Sequence, residues 1–317
     1  MNRILSPAPP SALTIDVEDW FHILDSPATP ALERWSAFEE RVEENTSRLL
    51  DLLSAHGVNA TFFWLGWVAE RHKPLVRRCL GEGHEVASHG YAHLLPYRVG
   101  PVRFREDIVH AKNSLEDIAG VEVRGFRAAG FGVTEATPWA FDIIRGAGYT
   151  FDASVFPGRH GHGGLPRALL VPHTVRTSRG DLFEIPSSVV EVLHRRLCLF
   201  GGGYLRLASR RVIAWGVRRL AAAGRPLIVY LHPRDIDPGQ PRLPLSAQRR
   251  FKCYVNLRGT LAKIAWLCEN RHFGTISQLQ ARYLHPYPIP EVTESEMVPL
   301  HLPSRDHSPC ETGSDPV

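Results

Sequence analysis

Short apolar runs alternate along this chain with longer stretches of helical spacing, and that rhythm is the first guide to its fold. Ala12-Leu13-Thr14-Ile15-Asp16-Val17-Glu18-Asp19 reads as a strand-like run whose side chains take opposite faces in turn. Asp16 and Glu18 then point one way, Val17 and Asp19 the other. Residues 20–30 form an aromatic, proline-containing loop, after which Val42, Leu49, Leu52 and Leu53 recur at helical spacing up to a stop at Gly57. Residues 58–65 are almost continuously apolar, as expected of a strand covered on both faces in a parallel sheet. A helix over 66–81, restarted at Pro74, leads to a strand over 84–88. Phe104, Ile108, Ala111, Leu115 and Ile118 mark another helix, closed by Gly120.

The alternation continues with a strand over 123–127, a helix over 134–147 and a strand over 149–152. Residues 156–177 loosen into a loop of Gly, Pro and His, and 181–186 resume as a strand. Gly201-Gly202-Gly203-Tyr204 reads as a flexible turn, and 209–223 as an Arg-rich helix with Val212, Ile213, Trp215, Val217 and Leu220 on its apolar face. The strand over 226–231 delivers His232 at its end, and helical spacing returns over 260–270 and 273–280. The expected fold is therefore α/β, a parallel sheet or barrel whose strand C-termini carry the chemistry. A flexible start at 1–11 and a disordered, proline-rich tail at 286–317 flank one domain over 12–285, whose last part, from about 240, is a C-terminal extension.

Composition narrows the picture. The 317 residues are 44% hydrophobic and 22% charged, as in an ordinary globular protein, and 37 basic against 33 acidic residues give no reason to expect nucleic acid. Five scattered cysteines include no C-x-x-C pair, which argues against a disulfide framework or a thiolate zinc site. With no apolar run of spanning length, the expected location is the cytoplasm, or the periphery of the inner membrane.

The candidate chemistry gathers at strand ends. His89 and His93, four positions apart, would share one face of a helical turn and could grip one divalent ion. A His-x-x-x-His pair is weak on its own, because chance supplies about one among 16 histidines in 317 residues. Acidic ligands are expected at the end of the first strand. Two histidines, a carboxylate and an open position make a hydrolytic site rather than a structural one. Asp16, Glu18, His89, Arg127 and His232 all fall at or just past separate strand ends. The arginines 206, 210, 211, 218 and 219 read as the wet face of a helix, with an anionic partner or membrane surface as the alternative, while Trp20, Phe21 and Tyr204 are candidate substrate contacts.

Together Thr14-Ile15-Asp16, Ser88-His89-Gly90-Tyr91-Ala92-His93, Arg127-Ala128-Ala129-Gly130-Phe131 and Leu231-His232-Pro233 resemble the ordered motifs of the polysaccharide deacetylase family, the NodB homology or carbohydrate esterase family 4 group. Asp16-Val17-Glu18-Asp19-Trp20-Phe21, the Gly201–Tyr204 turn and Tyr254-Val255-Asn256-Leu257 resemble its branch encoded with bacterial exopolysaccharide and exosortase loci. The similarity runs from about residue 12 to 284. It implies a deformed (β/α) barrel that removes acetyl groups from an N-acetylated glycan with one divalent metal, zinc first and cobalt, manganese or nickel as alternatives, alongside polysaccharide assembly proteins.

By position, Asp16 matches the catalytic base, His89 and His93 metal ligands, Arg127 the arginine that orients the base, and His232 the general acid. Backbone N–H groups at Gly130 and Phe131 are expected to form an oxyanion hole. Three departures stand out. Val17 occupies the place of the family's metal-binding aspartate, so Glu18 is the substitute ligand and Asp19 the reserve. Ala128 and Ala129 replace prolines, and no Asp-Trp motif supports His232, for which Asp152 is the stand-in. Rival readings are hydrolysis of a small cyclic or linear amide and a non-catalytic glycan-binding component of polysaccharide assembly.

Overall fold

The structure, a computed structural model, describes residues 10–24, 26, 28–159, 161–193, 195–284, 291–293 and 296. The flexible start expected at 1–11 falls outside it except for residues 10 and 11, and so does the expected tail except for 291–293 and 296. In chain order the elements are β1 (Ser11–Val17), α1 (Val42–Ala55), β2 (Thr61–Trp64), α2 (Gly66–Arg71), α3 (Lys73–Gly81), β3 (Glu85–Ser88), α4 (Pro96–Ala119), β4 (Gly125–Phe126), α5 (Trp139–Gly146) and β5 (Phe151–Asp152). There follow β6 (His173–Thr177), β7 (Gly180–Glu184), β8 (Val189–Val192), β9 (Arg195–Cys198), α6 (Gly202–Leu207), α7 (Arg210–Ala222), β10 (Leu227–Leu231), α8 (Ala247–Tyr254), α9 (Thr260–Asn270), β11 (Phe273–Gly274), α10 (Ile276–Leu284) and β12 (Glu291–Thr293).

Seven strands lie parallel in the order β10-β1-β2-β3-β4-β5-β7, with β6 antiparallel on β7 and β12 beside β6. Alternation along β1 separates two apolar layers. Leu13, Ile15 and Val17 join the layer under the helices with Phe62, Trp64 and Val86. Ala12 joins Phe63, Ala87, Phe151, Phe183 and Ile228 in a second cluster inside the curved sheet. Thr14 and Asp16 share the inward face with Ala12, so a carboxylate arrives at the mouth of the barrel with apolar layers beneath it.

Among the described residues, no strand pair closes the seam between β7 and β10; side chains and a loop do. The Ser188 hydroxyl donates to Pro226 O (3.1 Å) and accepts from Ile228 N (2.8 Å), while Tyr230 N donates to Phe200 O (3.0 Å). Gly201 bridges to Tyr230 so closely that a Cβ there would lie 1.9 Å from the ring.

Two expectations need correction here. Residues 202–207 form the helix α6 rather than a flexible turn, and the presumed loop over 156–177 ends in a strand, β6, because β7 folds back on it as a hairpin. The tight seam predicts that Gly201→Ala costs about 1–3 kcal/mol by overpacking, whereas Gly81→Ala, which faces open space, stays within about 0.5 kcal/mol of the parent. Urea denaturation measures both, and equal midpoints would contradict the seam.

Candidate active site and metal centre

Asp16 is met by the guanidinium of Arg127, whose Nη1 lies 2.6 Å from its Oδ1. Arg127 is itself fixed on several sides. It donates to Thr14 Oγ1 (2.9 Å) and Ala153 O (3.2 Å), and its guanidinium sits 4.1 Å from the centre of the Phe63 ring. Both charges are buried, so the pair has few other arrangements.

The histidine pair does not lie on a helical turn. Gly90 (φ 77°) and His93 (φ 54°) are left-handed, which breaks any helix, and the loop is pinned instead by Asp107 of α4, which accepts from Tyr91 N and Ala92 N at 2.9 Å each. A Cβ at Gly90 would lie 2.6 Å from Asp107 Oδ2, so glycine is required on two counts. The loop still brings both rings to Glu18: His89 Nε2 lies 3.3 Å and His93 Nε2 3.1 Å from Glu18 Oε1.

The donor set suits a divalent cation. His89 Nδ1–H donates to Arg127 O (2.8 Å), which leaves the Nε2 lone pair facing the Glu18 carboxylate. Among the described residues, both ring nitrogens of His93 and Oε2 of Glu18 are buried and complete no aligned hydrogen bond. One ligand atom from each of Glu18, His89 and His93 lies within 4.8 Å of the others. Burial alone would raise the Glu18 pKa, but the His93 and His232 imidazoles and the hydrogen bond with His89 hold it well below the usual carboxylate range.

Asp19, the reserve ligand, is turned away. Its carboxylate accepts from Trp20 N (2.7 Å), Arg41 N (2.7 Å) and Val42 N (3.0 Å), and burial lifts its pKa to about 6 against those bonds. Trp20 and Phe21 are buried with Ile23, Trp35 and Leu257, so they wall the site rather than offer a face to a sugar. Phe131 is buried against Phe156 and Tyr230, and its N–H is committed to Ala128 O (3.1 Å), which removes it from the expected oxyanion hole. Gly130 is half-buried and left-handed, and Tyr204 alone of the expected substrate contacts is well exposed.

His232 completes the group: its Nε2 lies 3.9 Å from Asp16 Oδ2 and 3.6 Å from Glu18 Oε1. Burial lowers its pKa to about 4, against the pull of Glu18 and Asp16. Its support is Asp235, not Asp152. Asp235 Oδ2 accepts from His232 N (2.9 Å) and from His232 Nδ1–H (3.0 Å), in the i, i+3 spacing of a capping box. Asp235 in turn pairs with Arg206, which is buried and also donates to Val255 O, Lys252 O and Cys253 O. Arg206 is therefore a structural cation under the site and not part of a wet helix face. Sequence reasoning missed this relay, as it missed Arg234, whose guanidinium lies 3.7 Å from Glu18 Oε2.

Asp152 has a different partner. It faces Glu184 across β5 and β7, accepts from Ser154 Oγ (2.6 Å), and Ser154 in turn accepts from Ala128 N (2.8 Å) just after Arg127. That bond fixes the segment where the family's prolines are absent.

These features define a class: a (β/α) barrel with a His/His/carboxylate cluster and an arginine-held aspartate at its C-terminal rim. The model of the polysaccharide deacetylase family matches residues 29–151, and a domain of unknown function (DUF3473) matches residues 153–281. Over 77 residues, 24% of its length, the chain is 38% identical to a peptidoglycan-N-acetylglucosamine deacetylase of Bacillus cereus, and over 99 residues, 31% of its length, 29% identical to a chitooligosaccharide deacetylase of Bradyrhizobium sp.. The matched segments span 28% and 43% of those two proteins. The fold is similar to that of Puue allantoinase, with a TM-score of 0.58 at 16% identity over 88% of this chain and 92% of the other, a likeness of fold alone.

The buried carboxyls behind Arg127 predict a pH dependence. Burial raises the pKa of Asp152, and burial plus the Asp152 charge raise that of Glu184 well above its usual value. The folded chain then holds protons that the unfolded chain has released above about pH 4, so stability falls as pH rises toward the raised values. Glu184→Gln, which keeps the acceptor for Val155 N, is expected to flatten that fall between pH 5 and 8 in urea denaturation; an unchanged slope would contradict it.

Proposed function

We propose that this chain is a metal-dependent hydrolase that removes N-acetyl groups from amino sugars of a bacterial exopolysaccharide or its precursor. One observation carries the reading: an arginine-held aspartate, a His/His/Glu cluster and an aspartate-held histidine meet within a few ångströms at one rim of the barrel. An amide is a poor electrophile with a poor leaving group, so its hydrolysis needs a polarised carbonyl, an activated water and a proton for nitrogen. Glu18, His89 and His93 would hold the ion, and a divalent cation there supplies a Lewis acid that polarises the acetyl carbonyl and lowers the pKa of water.

The remaining work belongs to side chains. Asp16, oriented by Arg127, takes the proton of the attacking water. His232 gives its Nδ1–H to Asp235 and presents Nε2 toward the departing nitrogen. With Asp16 only 3.9 Å from Nε2, the proton removed from water can return to nitrogen through His232, so the ring need not rest charged, in keeping with its lowered pKa. Asp235 fixes the tautomer, and Arg206 keeps Asp235 from turning away.

Metal-stripped protein is expected to release amine from N-acetylglucosamine oligomers only after Zn²⁺, Co²⁺ or Mn²⁺ is returned. Silence with every metal on every acetylated glycan would favour the non-catalytic glycan-binding reading. His232→Ala is expected to keep its metal while turnover falls about 10²–10⁴-fold. Asp235→Asn is expected to lower kcat about 10- to 100-fold with little change in KM. If His232→Ala lost metal and turnover together, His232 would be a ligand and not the proton donor.

A further inference from the structure

Charge is segregated along this chain far more than its net +4 suggests. Between Glu191 and Glu269 the only acids are Asp235 and Asp237, against fifteen Arg and Lys, which gives that segment +13; the other 22 basic and 31 acidic residues give the rest of the chain −9. Both acids are buried and already paired, Asp235 with Arg206 and Asp237 with Arg41. The segment builds one flank of the barrel: α7 packs on β10 and β8, α6 on α8, and α9 near the turn that follows His232. Arg195, Arg210, Arg211, Arg218, Arg219, Arg250 and Lys252 are all exposed there.

Large apolar side chains stand among these cations. Tyr204 (42% exposed), Leu207 (51%) and Val212 (42%) run along α6 and the start of α7, and Phe251 (56%) lies between Arg250 and Lys252 on α8. Helices α6 and α8 touch through backbone: Arg206 Nη2 donates to Lys252 O (2.6 Å), and a Cβ at Gly203 would lie 2.7 Å from the same oxygen. Tyr204, Leu207 and Phe251 therefore belong to one packed pair of helices, and that pair adjoins His232 through Arg206 and Asp235.

We propose that this flank docks on an anionic lipid bilayer, with Tyr204, Leu207 and Phe251 entering the interface and the exposed arginines and Lys252 facing headgroup phosphates. The proposal goes beyond the deacetylase reading and does not rest on it. An anionic lipid surface matches both halves of the patch, because basic side chains draw the protein to the surface and apolar ones are buried in it. A soluble polyanion would answer the charge but leave leucine and phenylalanine in water. Docking would hold the barrel mouth, which the α6/α8 pair adjoins, close to the membrane surface.

The test is sedimentation of the full chain with vesicles of phosphatidylcholine, with and without added phosphatidylglycerol. Partition is expected only with phosphatidylglycerol, and it should fall at least about tenfold both in Arg211→Glu/Lys252→Glu and in Leu207→Ser/Phe251→Ser, each with an unchanged thermal midpoint. Absence of partition would overturn the proposal. So would partition that the apolar variant leaves intact while soluble dextran sulfate binds equally well, since the flank would then be a polyanion surface.

Discussion

Carboxylates can sit at the mouth of an apolar barrel only if cations meet them, and this requirement organises the molecule. Asp16 and Glu18 are both buried, and each is met by a partner: the Arg127 guanidinium on the first, and Arg234 with the His89 and His93 imidazoles around the second. An unpartnered charge at such depth costs several kcal/mol, on the order of 3–5 when one member of a buried pair is removed. The loops that deliver those partners are accordingly held by backbone bonds. Asp107 pins the histidine loop and Ser154 pins the chain just after Arg127.

The site is drawn from three stretches of chain. The carboxylates come from the end of β1 and the residue just after it, ahead of both matched regions; the histidine pair and Arg127 come from the deacetylase-like region; His232, Asp235 and Arg206 come from the region of unknown function. The last of these also supplies Phe200, Gly201 and β10, which close the seam. That region is thus part of the barrel wall and of the side of the site that holds His232, and its outer surface carries the excess of arginine.

Much of the fold was legible because burial imposes simple periods. The apolar run at 58–65 became β2 flanked by core, and the alternation in residues 12–17 put Asp16 inward, since a one-residue shift would have turned every side chain over. The rim positions followed from strand ends. What spacing could not show was backbone of the left-handed kind at Gly90 and His93, where i, i+4 spacing imitates a helix that the chain does not form. Arg206 looked wet because charge is usually exposed, and its burial is explained by distant partners, Asp235 and the carbonyls of residues 252, 253 and 255. Trp20 and Phe21 sit beside the rim carboxylates in sequence, yet they pack inward because Asp19 caps their turn and ties it to Arg41 and Val42.

The central claim is that Glu18, standing where Val17 faces the helices, joins two loop histidines as a ligand set. X-ray absorption at the zinc edge of the loaded chain tests it most directly. The account predicts two imidazole nitrogens and a carboxylate oxygen at about 2.0–2.2 Å, with bound zinc lost in Glu18→Ala and kept in Asp19→Asn. A zinc shell without imidazole, or one unchanged by Glu18→Ala, would contradict it.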